Sequence, residues 1–253
     1  MRKLYQFPGV GGGEEEMNTV SRFVVVGAGI AAAGVVAHAD TVAASFTSGG
    51  LGVETEATSA DGETVNERNS SGVDGAVVEA EGSSSSGLVS SFGAFRGEIQ
   101  DVVPARSVGF TRITFEGSLG LLQEELGGVG FGALTTGSPS EPAPIIITIE
   151  EAAAFDISIQ QFGEFESFNF EFVPVPNTGA AIIGDVLLPG QYSIDIFAEL
   201  SLDENEFEDS AGFFIDIFLD GGVSNIIPLP GAAGLGLLGM GVLATRRRRP
   251  VTV

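Results

Sequence analysis

The chain has 253 residues, no cysteine, one histidine, one lysine and a formal net charge of −23. Without cysteine there is neither a disulfide framework nor a thiolate metal site. Between Asp40 and Asp220, 31 carboxylates face only Arg68, Arg96, Arg106 and Arg112, a net charge of −27, and that field repels phosphates strongly enough to exclude nucleic acid as a partner.

From the start of the chain, residues 1–16 hold Glu14, Glu15 and Glu16 where an export leader needs positive charge, so they read as a non-native upstream extension before a true start at Met17. Residues 17–39 have the three parts of a secretory signal peptide: Arg22, an uncharged run from Phe23 to Ala37, and the small-x-small triplet Ala37-His38-Ala39 before Asp40. Cleavage between Ala39 and Asp40 removes His38, the only imidazole, and with it Ser-His-Asp chemistry and His-ligated zinc or iron. Val24 to Ala32 also fits a G-x-G-x-x-A dinucleotide fingerprint, but no amphipathic helix follows to complete a βαβ unit.

Residues 40–224 read as an acidic ectodomain. Up to Ser91 the chain is mostly Gly, Ser, Thr, Ala and acids, which predicts two or three short strands such as Gly75 to Glu79, with Ser83 to Ser86 as solvated linker. From Val108 the apolar residues alternate, with a slip at Thr111-Arg112 that a β-bulge would absorb. Ser118 to Leu126 places Leu119, Leu121, Leu122, Glu124 and Glu125 at helical spacing and predicts a short helix.

After the proline-rich break at Ser138 to Pro144, period-2 patterning is strong. Ile145 to Ile149 is a buried run; Phe155, Ile157 and Ile159 alternate with polar residues; Phe165, Phe168, Phe170 and Phe172 are interleaved with Glu166, Asn169 and Glu171; Tyr192, Ile194, Ile196 and Ala198 form one face, and Phe213, Ile215, Ile217 and Leu219 another. Such strands between Gly, Pro and acidic turns predict an antiparallel β-sandwich, with Ser193 and Asp195 facing water.

The last segment, residues 225–253, carries a Pro-x-Pro motif at Pro228, Leu229 and Pro230, an uncharged run from Gly231 to Ala244, and the cluster Arg246, Arg247, Arg248 and Arg249. Apolar side chains enter lipid while guanidinium groups stay on the cytoplasmic side, so this is the layout of a membrane stop. It resembles the PEP-CTERM sorting tail of Gram-negative bacteria, with Leu229 where the usual motif has Glu. The resemblance implies export by the Sec translocon, a transient transmembrane helix and recognition by an exosortase-like membrane peptidase. It further implies final placement at the cell surface or outside it, among exopolysaccharide. Leu188-Pro189-Gly190-Gln191-Tyr192 is similar to the entry into a late strand of secreted jelly-roll ectodomains, and equally to any Pro-Gly turn feeding a hairpin.

Paired carboxylates are the only catalytic apparatus left, and with so many acids a pair carries no information; the chain also lacks Trp for stacking sugars. No catalytic residue is assigned. Hard cations take oxygen ligands, so Asp203, Asn205 and Asp209, in an acidic loop between two strands, are the candidate calcium ligands. The reading is therefore an all-β, jelly-roll-like sandwich ectodomain between a signal helix and a transmembrane helix. The function expected of it is that of a non-enzymatic envelope or matrix protein, with a secreted carbohydrate- or calcium-binding module as the alternative.

Overall fold

Alternation is clearest on the strand Gly190–Leu202, where Tyr192, Ile194, Ile196, Ala198, Leu200 and Leu202 are all buried and the residues between them are not. The same pattern recurs through a computed structural model that describes residues 41–104 and 109–221. These residues form fifteen strands: β1 (Ala44–Ser48), β2 (Gly50–Thr58), β3 (Thr64–Gly72), β4 (Val77–Ser86), β5 (Val89–Val102), β6 (Phe110–Gln123), β7 (Val129–Ser138), β8 (Glu141–Pro142), β9 (Ile145–Ile149), β10 (Ala153–Phe162), β11 (Ser167–Pro174), β12 (Ile182–Ile183), β13 (Val186–Leu187), β14 (Gly190–Leu202) and β15 (Glu208–Asp220). The protein is all-β and every recorded strand pair is antiparallel. No helix among the described residues is long and apolar enough to cross a membrane. The signal segment 17–39 and the tail from residue 225 lie outside the described residues.

One sheet runs β3, β2, β7, β14, with β11 on the far edge of β14. β9 continues the track of β7 along β14, and β1 continues that of β2 along β9. The second sheet runs β4, β5, β6, β15, β10, with the short β13 and β12 beyond. The chain crosses between sheets at β3 to β4, β6 to β7, β9 to β10, β10 to β11, β11 to β12, β13 to β14 and β14 to β15, so facing strands are often successive in sequence. Between them lies one core, in which Phe95, Phe115, Phe213, Ile113, Ile194, Ile196, Ile215 and Ile217 are buried.

Packing differs along this core. Toward β14 and β15 it is filled by large side chains, with Phe95 edge-on to Phe213 at 5.7 Å and Phe168 against Phe213 at 5.2 Å. Toward β2 and β4 it is thin, and hydroxyls tie the sheets together. Ser84 Oγ donates to Thr55 O at 2.7 Å, Ser86 Oγ to Glu63 O at 2.6 Å and Ser91 Oγ to Phe131 O at 2.8 Å. A buried hydroxyl needs such an acceptor, because leaving it unpaired costs about 1–3 kcal/mol.

The fold departs from the sequence expectations at three places. Ser83 to Ser86 belong to β4, with Ser84 and Ser86 buried, so they are not a solvated linker. Ser118 to Gln123 continue β6 as strand, so there is no helix at that position: Leu119 and Leu121 turn inward and Leu122 outward. Two glycines explain the choice. A Cβ on Gly117 would sit 2.4 Å from the Phe213 ring, and one on Gly120 would sit 2.1 Å from that of Phe92, so aromatic rings lie directly over the β6 backbone. Both glycines are also poor helix formers. Finally, β6 pairs with β5 from Phe110 to Gln123 without a slip, and Phe110 packs instead on the outer face against Phe218 at 5.8 Å. The bulge lies elsewhere, at Phe46/Ser48 in β1.

Candidate functional site

Four loops meet at one end of the sheets: Ser59 to Glu63 between β2 and β3, Gly87-Leu88 between β4 and β5, Glu124 to Gly128 between β6 and β7, and Asp203 to Phe207 between β14 and β15. Gln123, the last residue of β6, is the buried post that joins two of them. Its Nε2 donates to Asp203 O at 3.3 Å and to Glu206 O, its Oε1 accepts from Gly128 N at 3.0 Å, and its own N–H donates to Phe207 O at 2.8 Å. Backbone bonds from Glu124 N to Leu88 O and from Gly127 N to Glu204 O, each 3.0 Å, bind the loops further. The only signal for Gln123 in the sequence is a polar residue at an inward position of an apolar strand.

The β2–β3 turn is pinned by its own polar groups. Thr58 and Thr64 share a hydroxyl hydrogen bond of 2.8 Å across its base, and Ser59 N–H donates to Glu63 O at 2.8 Å. The Ser59 hydroxyl donates to Asp61, and with help from the Glu63 N–H it holds the Asp61 carboxyl below the usual carboxylate range. An open cleft of about 230 Å³ lies between this turn and the next two loops, lined by Ser59, Asp61, Glu63, Leu88, Val89 and Glu125 among others.

The end is one-sided in charge. Asp61, Glu63, Glu124, Glu125, Asp203, Glu204 and Glu206 all lie on these loops, without an arginine among them. The three described arginines are engaged on the strands, Arg68 with Glu54 at 2.5 Å, Arg96 with Glu98 at 2.9 Å and Arg112 with Asp216 through two bonds of 2.7 and 2.9 Å. The Asp216 carboxylate raises the Arg112 guanidinium pKa further, chiefly through this hydrogen bonding. Chemically the loop end can concentrate cations.

The predicted calcium ligands fall on this end. Asp203 follows β14, Asn205 is in the loop and Asp209 is the second residue of β15. The backbone oxygen of Asp203 is taken by Gln123 and by Glu206 N at 3.0 Å, its N–H donates to Glu206 Oε2 at 3.2 Å, and Asp209 Oδ1 accepts from Ser210 N at 2.8 Å. Among the described residues no group of three or more His, Cys, Asp or Glu is arranged to hold a metal ion. Pro228, Leu229, Pro230, Arg246, Arg247, Arg248 and Arg249, and the cleavage residues Ala37, Ala39 and Asp40, lie outside the described residues.

The entry motif at Leu188 to Tyr192 has a definite structural job. The buried Tyr192 hydroxyl lies against Leu188 O at 2.6 Å and Ala181 O at 2.9 Å, so it clamps the segment that leads into β14. Burial raises the Tyr192 pKa, against the opposing effect of these two backbone groups. Compared with known protein families, with curated proteins and with solved structures, the chain matches none.

Proposed function

We propose that this chain is an exported, non-enzymatic protein of the cell envelope or extracellular matrix, delivered by the Sec translocon and sorted by an exosortase-like membrane peptidase. The observation that carries the reading is the tail: Pro228-Leu229-Pro230, an uncharged segment too short for a comfortable permanent span, and four consecutive arginines. A hydrocarbon core takes about 20 helical residues, and Gly231 to Ala244 supplies 14. The ectodomain is read as a jelly-roll-like sandwich, a cysteine-free and lysine-free acidic body that stays soluble among polysaccharide through its charge.

Changing Arg246 to Arg249 together to serine tests this. The cluster should stop translocation, so the variant should be processed abnormally or lost from its final compartment. Normal processing and normal location of that variant would overturn the sorting reading.

A second reading, a secreted carbohydrate- or calcium-binding module, draws on the seven carboxylates of the loop end. It differs from the first in requiring a saturable ligand there, which calorimetry with calcium and binding to glycan arrays would detect.

A further inference from the structure

The sheets meet at two seams, which are finished differently: β3 and β4 run close together, whereas β10 and β11 stand apart and touch through the rings of Phe155 and Phe172, 6.1 Å between centroids. At β3 and β4 side chains close the gap: Asn69 Nδ2 donates to Glu81 O at 2.6 Å and Ser83 N donates to Glu67 Oε2 at 3.0 Å. At β10 and β11, no hydrogen bond among the described residues joins the two strands.

The direction of the backbone groups there follows from the register. Phe155 N–H donates to Asp185 O at 2.9 Å, on the side of β10 away from β15. Peptide groups alternate along a strand and the β10–β15 ladder has no slip, so Ile157, Ile159 and Gln161 turn their N–H and C=O the same way. On β11, Val175 N–H donates toward β14, to Gln191 O at 2.8 Å, which leaves Phe168, Phe170 and Phe172 with peptide groups directed outward. Ile196 N–H, which reaches Thr136 on β7, fixes the matching alternation on β14.

Between these edges the core is only partly covered, by side chains that pack against it. Phe155, Ile157, Phe168, Phe170 and Phe172 are only half-buried and Ile159 is 41% exposed, whereas Ile194 and Ile217 deeper in the core are fully enclosed. An unpaired strand edge bordering an apolar slot is a template for one more strand.

Charge selects the occupant. Residues 150–174 hold Glu150, Glu151, Asp156, Glu164, Glu166 and Glu171 and no basic residue. A second copy pairing β11 with β11 would bring like charges together, which is unfavourable across strands. We propose that the β10/β11 seam is a strand-acceptor site. An extended segment of another protein adds to the free edge of β11, its apolar side chains entering the slot at alternate positions and its Lys or Arg side chains turned outward. Main-chain hydrogen bonds supply the affinity, and the Phe-lined slot and the acidic flank supply the selectivity. The inference stands independently of how the chain is sorted.

The test uses the full chain and a synthetic peptide of alternating valine and lysine, about as long as β11. Hydrogen exchange is followed across residues 155–174, and affinity by calorimetry. At saturation, exchange at Phe168, Phe170 and Phe172 should slow by about tenfold or more, equivalent to about 1.4 kcal/mol. A peptide N-methylated on its pairing edge should not bind, and one with glutamate for lysine should bind at least about tenfold more weakly. Equal binding of the N-methylated peptide would reduce the effect to charge attraction and overturn the proposal. Unchanged exchange at the three phenylalanines would also overturn it, as would their protection in a dimer of the chain alone.

Discussion

Ile194 and Asp195 are adjacent on β14 and face opposite ways, which makes them a paired test of the packing. Ile194 is fully enclosed, so Ile194→Ala removes a buried side chain from a site with little room to collapse and should cost about 2–5 kcal/mol. Ile194→Asp adds an uncompensated buried carboxylate, and the combined cost approaches the roughly 5–15 kcal/mol that holds a domain together. That variant should be unfolded. Sequence alone marks Asp195 as a silent surface position, but Thr136, itself buried, donates its hydroxyl to Asp195 Oδ1 at 2.6 Å. Asp195→Asn keeps an acceptor and should stay within about 1 kcal/mol of the parent, whereas Asp195→Ala leaves the Thr136 O–H without its acceptor, with only the Ile196 N–H still bonded to that oxygen, and should cost about 1–3 kcal/mol. Urea unfolding followed by far-UV circular dichroism gives the values for the three folded variants, compared at constant denaturant slope, and the absence of a transition for Ile194→Asp. An Ile194→Ala variant as stable as the parent would refute the reading of β14 as a one-sided strand. A silent Asp195→Ala would refute the role given to Thr136.

Three further outcomes are expected. Burial keeps Tyr192 protonated in the folded protein at a pH where the unfolded chain, near the ordinary value of about 10, has begun to lose the proton. Folding stability should therefore fall as pH rises through about 10, and Tyr192→Phe, about 1 kcal/mol less stable at neutral pH, should lose its share of that slope; an unchanged slope would count against it. Gln123→Ala removes one side chain that serves three loop groups, so it should lower the melting temperature and speed hydrogen exchange at Gly128 and the Asp203 to Phe207 loop, while leaving Ile215 and Ile217 protected; slow exchange in those loops would contradict the post. Sodium chloride should raise the melting temperature as the Debye length falls from about 30 Å at 0.01 M to about 10 Å at 0.1 M, and a rise produced by micromolar calcium but not by matched sodium would assign a specific site to the loop end.

What the sequence discloses about this fold follows the size of its side chains. β9, β14 and β15 are legible because Ile, Phe, Leu and Tyr at every second position advertise a buried face. The β2 to β5 region carries the same alternation in small residues: Ser84, Ser86 and Ser91 take inward positions where hydrophobicity gives no signal, so strands of up to 14 residues look like linker. Ser118 to Leu126 misleads because leucines three apart mimic a helix, while the deciding contacts, Phe213 over Gly117 and Phe92 over Gly120, join residues far apart in sequence. Of the loop end, the sequence discloses the acidic loop at Asp203 to Asp209 but assigns Glu124 and Glu125 to a helix, and a lone glutamine in a strand says nothing of the four groups Gln123 reaches on the β6–β7 and β14–β15 loops.

Export and sorting by the tail are tested by mapping both termini of the protein recovered from the native cell envelope and medium. The mature chain should begin at Asp40, lack Arg246 to Arg249, and end near Pro228 to Pro230. Recovery of the chain from the cytoplasm with His38 and the four arginines still attached would contradict it.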